Sequence, residues 1–325
     1  MKADKNNAKI DDNTKTIVYT PQEISALTVK EIEERRKTSG QGITFGLPEI
    51  DAKMLPFRPG ELISVIGLTS QYKSGLMMFL ARNAMKNLTD NQIVVYCTWE
   101  QAIEEHALME LANVTKIDAS QIARGKIDDE QWGQLKAAAV KRSVSPLWLV
   151  GHSIQNRKKR PHLTIDDVGR GMVLIENEWG YRPALIVIDY LQRVESAAGG
   201  SDRRVEQMRI VDRCKDMALA MGCPVLLGAQ AKQEVINRGW KLPGEYDAAE
   251  TANVAHASDK ILSVWLPHRT EPPRAMIGGA EHPVEVNENL LIINLAKQKF
   301  GPAPQYFYEH VIPERNEITQ IARLP

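Results

Sequence analysis

The 325-residue chain is short of several things, and each shortage narrows what it can be. It has no net charge, with 41 basic residues against 41 acidic ones. A uniformly basic nucleic-acid coat protein is thereby excluded, and any nucleic-acid contact has to be local or lie inside an assembly. Cysteine is scarce. Cys97, Cys214 and Cys223 show no C-x-x-C spacing, and Cys97 and Cys223 lie in apolar runs, as buried thiols do. This usage suits a reducing, cytoplasmic compartment. No apolar run approaches the roughly 18 residues of a membrane span, so no membrane association is expected. The opening MKADKNNAKIDDNTK lacks the apolar stretch of a signal peptide. His152, His162 and His268 are scattered without metal-ligand spacing, so zinc is not expected. No internal repeat is visible. What is present, 43% apolar and 25% charged residues, is an ordinary globular composition.

Residues 1–19 are polar and are expected to be a disordered tail. Residues 20–40 predict one helix. Thr20 caps it, Pro21 suits its first position, Glu23 completes a capping box, and Gly40 can end it. Its apolar stripe, Ile24, Leu27 and Ile32, is too narrow for a domain, so the helix needs either its own core or a neighbouring subunit to pack on. Over 41–325 strands and helices alternate. Strands are predicted at 61–67, 92–99, 146–151, 184–189, 224–230, 260–266 and 290–299. Several are apolar on successive residues, as strands covered on both faces are. The clearest helix is 203–221, with Val205, Met208, Val211, Cys214, Ala218 and Met221 near helical spacing. The expected fold is α/β, with a mostly parallel central sheet flanked by helices and an antiparallel extension from the last strands. Trp99, Trp148 and Trp265 are expected in the core and Trp132 half buried. The Pro/Gly-rich stretch 268–283 reads as an exposed loop with no assigned role.

ELISVIGLTSQYKSGLMMFLARNAM, residues 61–85, runs apolar strand, small-residue turn, Lys-Ser, amphipathic helix. It reads either as a phosphate-binding loop or as an ordinary βα turn. In the first reading, Gly67, Thr69, Ser70, Gln71, Tyr72, Lys73, Ser74 and Gly75 surround the phosphates. Lys73 reaches the terminal phosphates and Ser74 binds Mg²⁺. Tyr72 stands where the pattern G-x-x-x-x-G-K-[ST] has glycine, and a Cβ there obstructs the geometry glycine permits. Gly75 can relax the following turn without replacing that glycine. Three further strands end in polar residues: ALIVID in Asp189, a carboxylate suited to Mg²⁺; QIVVYCTWE in Glu100, suited to polarising a water; and PVLLGAQ in Gln230, suited to sensing a terminal phosphate. In a parallel sheet these ends converge on the edge where ligands bind, which favours the reading of the loop as a nucleotide site.

These segments together resemble a family. GITFGLPEIDAKMLPFRPGELISVIG, TWEQAIEEHALMELANVT, IDYLQRV with RRVEQMRIVDRCKDMA, PVLLGAQAKQ and LLIINLAKQKFGPAP resemble, in order and spacing over roughly 20–310, the RecA-like motor of DnaB-type replicative helicases. The resemblance implies a RecA-like P-loop ATPase core. Glu100 is then the catalytic carboxylate, Asp189 the Walker B aspartate and Gln230 the γ-phosphate sensor. Lys297 and Lys299 take the place of the Lys-x-Arg pair that reaches a neighbouring subunit's nucleotide. The helix at 20–40 resembles the linker helix that docks on the adjacent motor to build a ring. A hexamer threaded by single-stranded DNA, with a primase or loader-type partner, is the implied assembly. No segment resembling the family's N-terminal primase-binding domain precedes that helix.

The chain also departs from the family. Besides Tyr72, Lys299 replaces an arginine and loses its planar fork. The family's DNA-facing Asp-Leu-Arg-Glu-Ser-Gly-Ser aligns with Asp247-Ala-Ala-Glu250-Thr251-Ala-Asn253, where Ala249 removes a cation. An added basic stretch, Arg157, Lys158, Lys159 and Arg160, reads either as a solvated loop or as a phosphate- or partner-contacting one. Arg203 and Arg204, in the loop 195–204 that its composition marks as flexible, are candidates for a strand in the channel, Arg204 reading equally as a surface residue at a helix start. The function expected is an ATP-dependent, ring-forming helicase or translocase on single-stranded DNA. The alternative is a nucleotide-binding oligomeric scaffold with weak or no ATPase that recruits partners to DNA.

Overall fold

The computed structural model describes residues 19–37, 42–155, 163–194, 202–249, 252–278 and 283–321. The chain divides into two compact units, Met1–Gly42 and Ile43–Pro325. In the first, helix α1 (Pro21–Lys37) opens with the expected capping box. The Thr20 N–H donates to Glu23 Oε2 at 2.7 Å and the Glu23 N–H to Thr20 Oγ1 at 3.3 Å. None of its residues is buried, and Ile24, Leu27 and Ile32 are about half exposed.

In the second unit, β1 (Leu62–Gly67) shows why the sheet forms where it does. Ile63 and Val65 point into one core and Leu62 and Ile66 into another, so both faces are covered. The same alternation holds in β4 (Arg182–Asp189), with Leu185 and Val187 on one side and Ile186 and Ile188 on the other. The other parallel strands are β2 (Gln92–Thr98), β3 (Leu147–Val150), β5 (Val225–Gln230) and β6 (Lys260–Trp265). The antiparallel extension is β9 (Leu290–Gln298), β10 (Gln305–Ile312) and β11 (Glu317–Gln320). The nine strands run β11-β10-β9-β6-β1-β5-β4-β2-β3. Strands β6 through β3 are mutually parallel, as expected, and β9 turns against β6. The stretch expected to be a loop contains β7 (Met276–Ile277), which pairs with β8 (Val284–Glu285) just beyond it. Ile277 there joins Leu242, Trp265, Val286, Leu290 and Ile292 in a small third core.

One core is built on α3 (Lys73–Ala84), whose Leu76, Met77 and Leu80 are fully buried. The other is covered by α7 (Ile165–Trp179) and α8 (Arg203–Met221). Helix α8 buries Gln207, Ile210, Val211, Cys214, Met217 and Ala218, whereas Val205 and Met208 of the expected face are exposed. Trp99 and Trp265 are buried. Trp148 is only partly so and lies edge-on to Trp179 and Tyr181. Trp132 is half exposed. All three cysteines are buried and free. Among the described residues no helix is long and apolar enough to cross a membrane. The remaining helices are α2 (Pro48–Asp51), α4 (Ile103–Thr115), α5 (Ala119–Ala123), α6 (Asp129–Arg142) and α9 (Asn253–Ala257).

Candidate nucleotide site

Parallel pairing sets the site. The last residues of adjacent strands stand level, Gly67 beside Gln230 and Thr98 beside Asp189. Beyond these ends lies a cavity of about 370 Å³. It is lined by the 68–75 loop together with Thr98, Glu100, Asp189, Tyr190 and Gln230, and also by Arg269 and Pro313. The loop and strand-end residues singled out from the sequence are thus brought to one place, at the carboxyl edge of the sheet.

Lys73 begins α3 and is buried, with Nζ 4.5 Å above the Tyr190 ring. Burial pushes its ammonium pKa down, and the nearby Asp189 and Glu100 carboxylates oppose that. Gln230 is fixed at both ends. Its N–H donates to Gln192 Oε1 at 3.0 Å and its side-chain amide to Thr69 Oγ1 at 2.8 Å. The Gln71 side chain instead accepts from the Leu266 N–H at 2.7 Å and is buried, and its own N–H donates to Leu68 O at 3.4 Å.

Asp189 is buried, and the hydroxyl of the wholly buried Tyr96 donates to its Oδ2 at 2.7 Å. The His106 ring rests on Tyr96, their centroids 4.8 Å apart. Asp189 Oδ1 has no hydrogen-bond partner among the described residues. An orphaned buried carboxylate oxygen is costly unless a cation or water takes it. With the Ser74 hydroxyl lining the same cavity, the donor set fits a divalent cation with oxygen preference. Glu100 stands exposed at the mouth. A hydrogen bond to Tyr190 and the Glu100 charge hold the Arg193 guanidinium pKa up beside it.

Tyr72 adopts the left-handed backbone that its glycine counterpart would take, φ 68° and ψ 20°. That conformation costs an L-residue about 1–2 kcal/mol. The side chain turns into the protein, packs on the α3 core and receives a hydrogen bond from Asn316 Nδ2 at 2.9 Å. The ring is partly buried, so its packing returns part of the about 1.5–3 kcal/mol of a fully buried side chain, and the hydrogen bond adds about 1, which together offset the backbone cost. The Cβ obstruction expected from the sequence does not close the cavity, because the ring leaves by the core side.

None of the other expected residues that the structure describes lines this cavity. Lys297 and Lys299 lie at the opposite end of the sheet, since β9 runs against β6. There Lys297 Nζ donates to Ala255 O and Lys299 Nζ to Asp259 Oδ1, both at 2.5 Å. Burial raises the Asp259 carboxyl pKa, but the Lys215 and Lys299 contacts outweigh it and hold the value below the usual range. Asp247 is buried in a latch, accepting from Arg238 Nη1 and Nη2 at 2.5 and 2.8 Å and from the Gly244 N–H at 2.8 Å. Asn253 donates to Met208 O at 3.2 Å and Asp212 Oδ1 at 2.7 Å on α8. Arg203 bonds Glu206 and Gln192 O, while Arg204 is exposed at the start of α8. Glu250, Thr251, Arg157, Lys158, Lys159 and Arg160 lie outside the described residues. Sequence reasoning missed Tyr96, which bonds Asp189 from inside an apolar strand, and among the lining residues Tyr190, Arg269 in the short turn after β6, and Pro313 at the β10–β11 turn.

The fold and this cavity define a class, the RecA-like α/β proteins with a phosphate loop at the carboxyl edge of the sheet. A family model, "DnaB-like helicase C terminal domain", matches residues 42–308, and the chain belongs to that family. The replicative DNA helicase DnaB of Pasteurella multocida (strain Pm70) is 25% identical over 261 residues, covering 75% of this chain and 52% of that protein. The replicative DNA helicase DnaC of Bacillus subtilis (strain 168) is 23% identical over 284 residues, covering 86% and 58%. The chain therefore spans little more than half the length of these relatives. Among solved structures, the ATPase domain of G40P superposes with a TM-score of 0.76 at 20% identity, over 92% of this chain and 98% of that one. A DnaB-like replicative helicase described with its interactions with primase gives 0.73 at 19% identity, over 90% and 66%.

Proposed function

We propose that the chain is an ATP-dependent, ring-forming DNA helicase or translocase acting on single-stranded DNA. The observation that carries this is the meeting of Lys73, Ser74, Glu100, Asp189 and Gln230 around one cavity in a chain of this family. The backbone of the 68–72 loop and the N-terminus of α3 bind the phosphates, and Lys73 neutralises the outermost ones. Ser74 and Asp189 would hold Mg²⁺, which would supply positive charge against the phosphates. Glu100 orients and deprotonates the attacking water, and Gln230 contacts the terminal phosphate and reports its loss to Thr69 and Gln192. Lys297 and Lys299, too far along β9 to serve their own cavity, reach the nucleotide of an adjacent subunit. Helix α1, whose apolar stripe is half exposed, docks on that subunit, in a hexamer whose partners include primase or a loader-type protein.

A second reading has specific support. The Lys299 ammonium is engaged by Asp259 and Asp247 is locked by Arg238, so a nucleotide-stabilised scaffold with little turnover is the competing function. Steady-state ATP hydrolysis with Mg²⁺, with and without single-stranded DNA, decides between them. The motor reading expects stimulation by DNA and its loss in Glu100→Gln. Undiminished turnover in Glu100→Gln contradicts the site assignment, and binding without turnover in the unsubstituted protein favours the scaffold.

A further inference from the structure

We infer that Tyr72 is a strut tying the phosphate loop to the β10–β11 turn, so that nucleotide grip depends on this tyrosine and not on the glycine it replaces. The inference rests on the nucleotide-site reading above and adds a positioning residue to it.

The first observation is a steric pairing. A Cβ built on Gly75 would stand 2.5 to 2.8 Å from Cε2, Cζ and Cδ2 of the Tyr72 ring. The ring occupies the space that glycine at 75 leaves open, so the two positions are matched. The second is Asn316, which is 1% exposed and takes a left-handed φ of 44° in the β10–β11 turn. Its single amide nitrogen donates to Tyr72 Oη at 2.9 Å and to Gly75 O at 3.0 Å. One group thus grips the strut and the first turn of α3 together. The third is that the turn is itself held. Arg82 of α3 donates to Asn316 O at 2.5 Å. Asn113 of α4 donates to Arg315 O at 2.9 Å and Asn316 O at 3.0 Å. Pro313 of the same turn lines the cavity. A rigid turn therefore touches the ligand space and clamps both the helix that carries Lys73 and the helix that follows Glu100. Burial pushes the Tyr72 phenol pKa up, so the strut stays a neutral hydroxyl across the working pH range.

Because the strut acts on the loop, it affects ATP and ADP alike. The test measures equilibrium affinity of the full chain for a fluorescent ADP analogue and for ATP, with Mg²⁺. The proteins compared are the unsubstituted chain, Tyr72→Phe, Tyr72→Gly, Asn316→Ala and the Tyr72→Phe/Asn316→Ala double variant. Tyr72→Gly, which restores the family glycine, is expected to bind both nucleotides about ten-fold more weakly, the ring's packing and its hydrogen bond being lost together. Tyr72→Phe, which keeps the ring and its packing, and Asn316→Ala are each expected to lose about five-fold. The double variant is expected to be no weaker than the worse single one, as coupled partners are. Tyr72→Gly binding as tightly as the unsubstituted protein, or fully additive losses in the double variant, overturns the inference. If the unsubstituted chain binds neither nucleotide, the nucleotide-site reading fails instead. The strut is then judged by amide exchange across 68–76 without ligand, which Tyr72→Gly must accelerate.

Discussion

Asp189 shows how much one residue's surroundings decide. Its Oδ2 is occupied by the Tyr96 hydroxyl, which leaves the buried Oδ1 without a hydrogen-bond partner among the described residues. Tyr96 thereby orients the carboxylate that is proposed to hold Mg²⁺, much as outer-shell partners orient metal ligands. Tyr96→Phe preserves the ring in the core and removes only the hydrogen bond. We expect the Mg²⁺ concentration for half-maximal nucleotide binding to rise about five-fold, with metal-free binding unchanged. A Mg²⁺ titration identical to that of the unsubstituted protein would show that Asp189 needs no such support. None of this was visible in QIVVYCTWE, because a tyrosine in a buried strand reads as packing until its hydroxyl is seen to meet a carboxylate from the next strand. Tyr72 is a similar case. The sequence marks it as an obstruction, whereas its accommodation depends on Gly75 and on a residue 244 positions away.

At the scale of elements, the central strands were legible because burial on both faces leaves them apolar on successive residues. Strands β10 and β11 were not. In QYFYEHVI only alternate residues are buried, and turn residues separate it from the short β11. The segment between β5 and β6 was legible as a loop but not as a latched one. Its Asp247 pairs with Arg238, which holds the carboxyl below its ordinary value. A folded-state pKa lowered in this way gives stability that is present above about pH 4 and lost as pH falls through the folded value. Asp247→Asn should reproduce the loss at neutral pH by weakening the bond to the Gly244 N–H. Amide exchange at Gly244 is expected to speed several-fold, and unchanged protection there would mean that the backbone bridge from Ala231 to Ala248 holds the loop alone.

At the scale of the whole molecule, Lys297 in β9 and Lys299 just after it lie at the opposite edge of the sheet from the cavity, and the apolar stripe of α1 is half exposed. That is the pattern expected where sites are completed between subunits. Ile24→Asp with Leu27→Asp should shift the chain to smaller species by light scattering while the secondary structure of 43–325 persists. An unchanged mass would place the ring contacts elsewhere. The family and the general place of the site were legible because they rest on order and spacing. The geometry inside the site was not, because it rests on contacts between distant segments.

Whether the altered loop is a working nucleotide site is decided by calorimetric titration of the full chain with ATP and Mg²⁺, comparing the unsubstituted protein with Lys73→Ala. One site per chain is expected, with binding about ten-fold weaker or more in the variant. Binding that Lys73→Ala leaves unchanged, or none in either protein, would contradict the nucleotide-site reading.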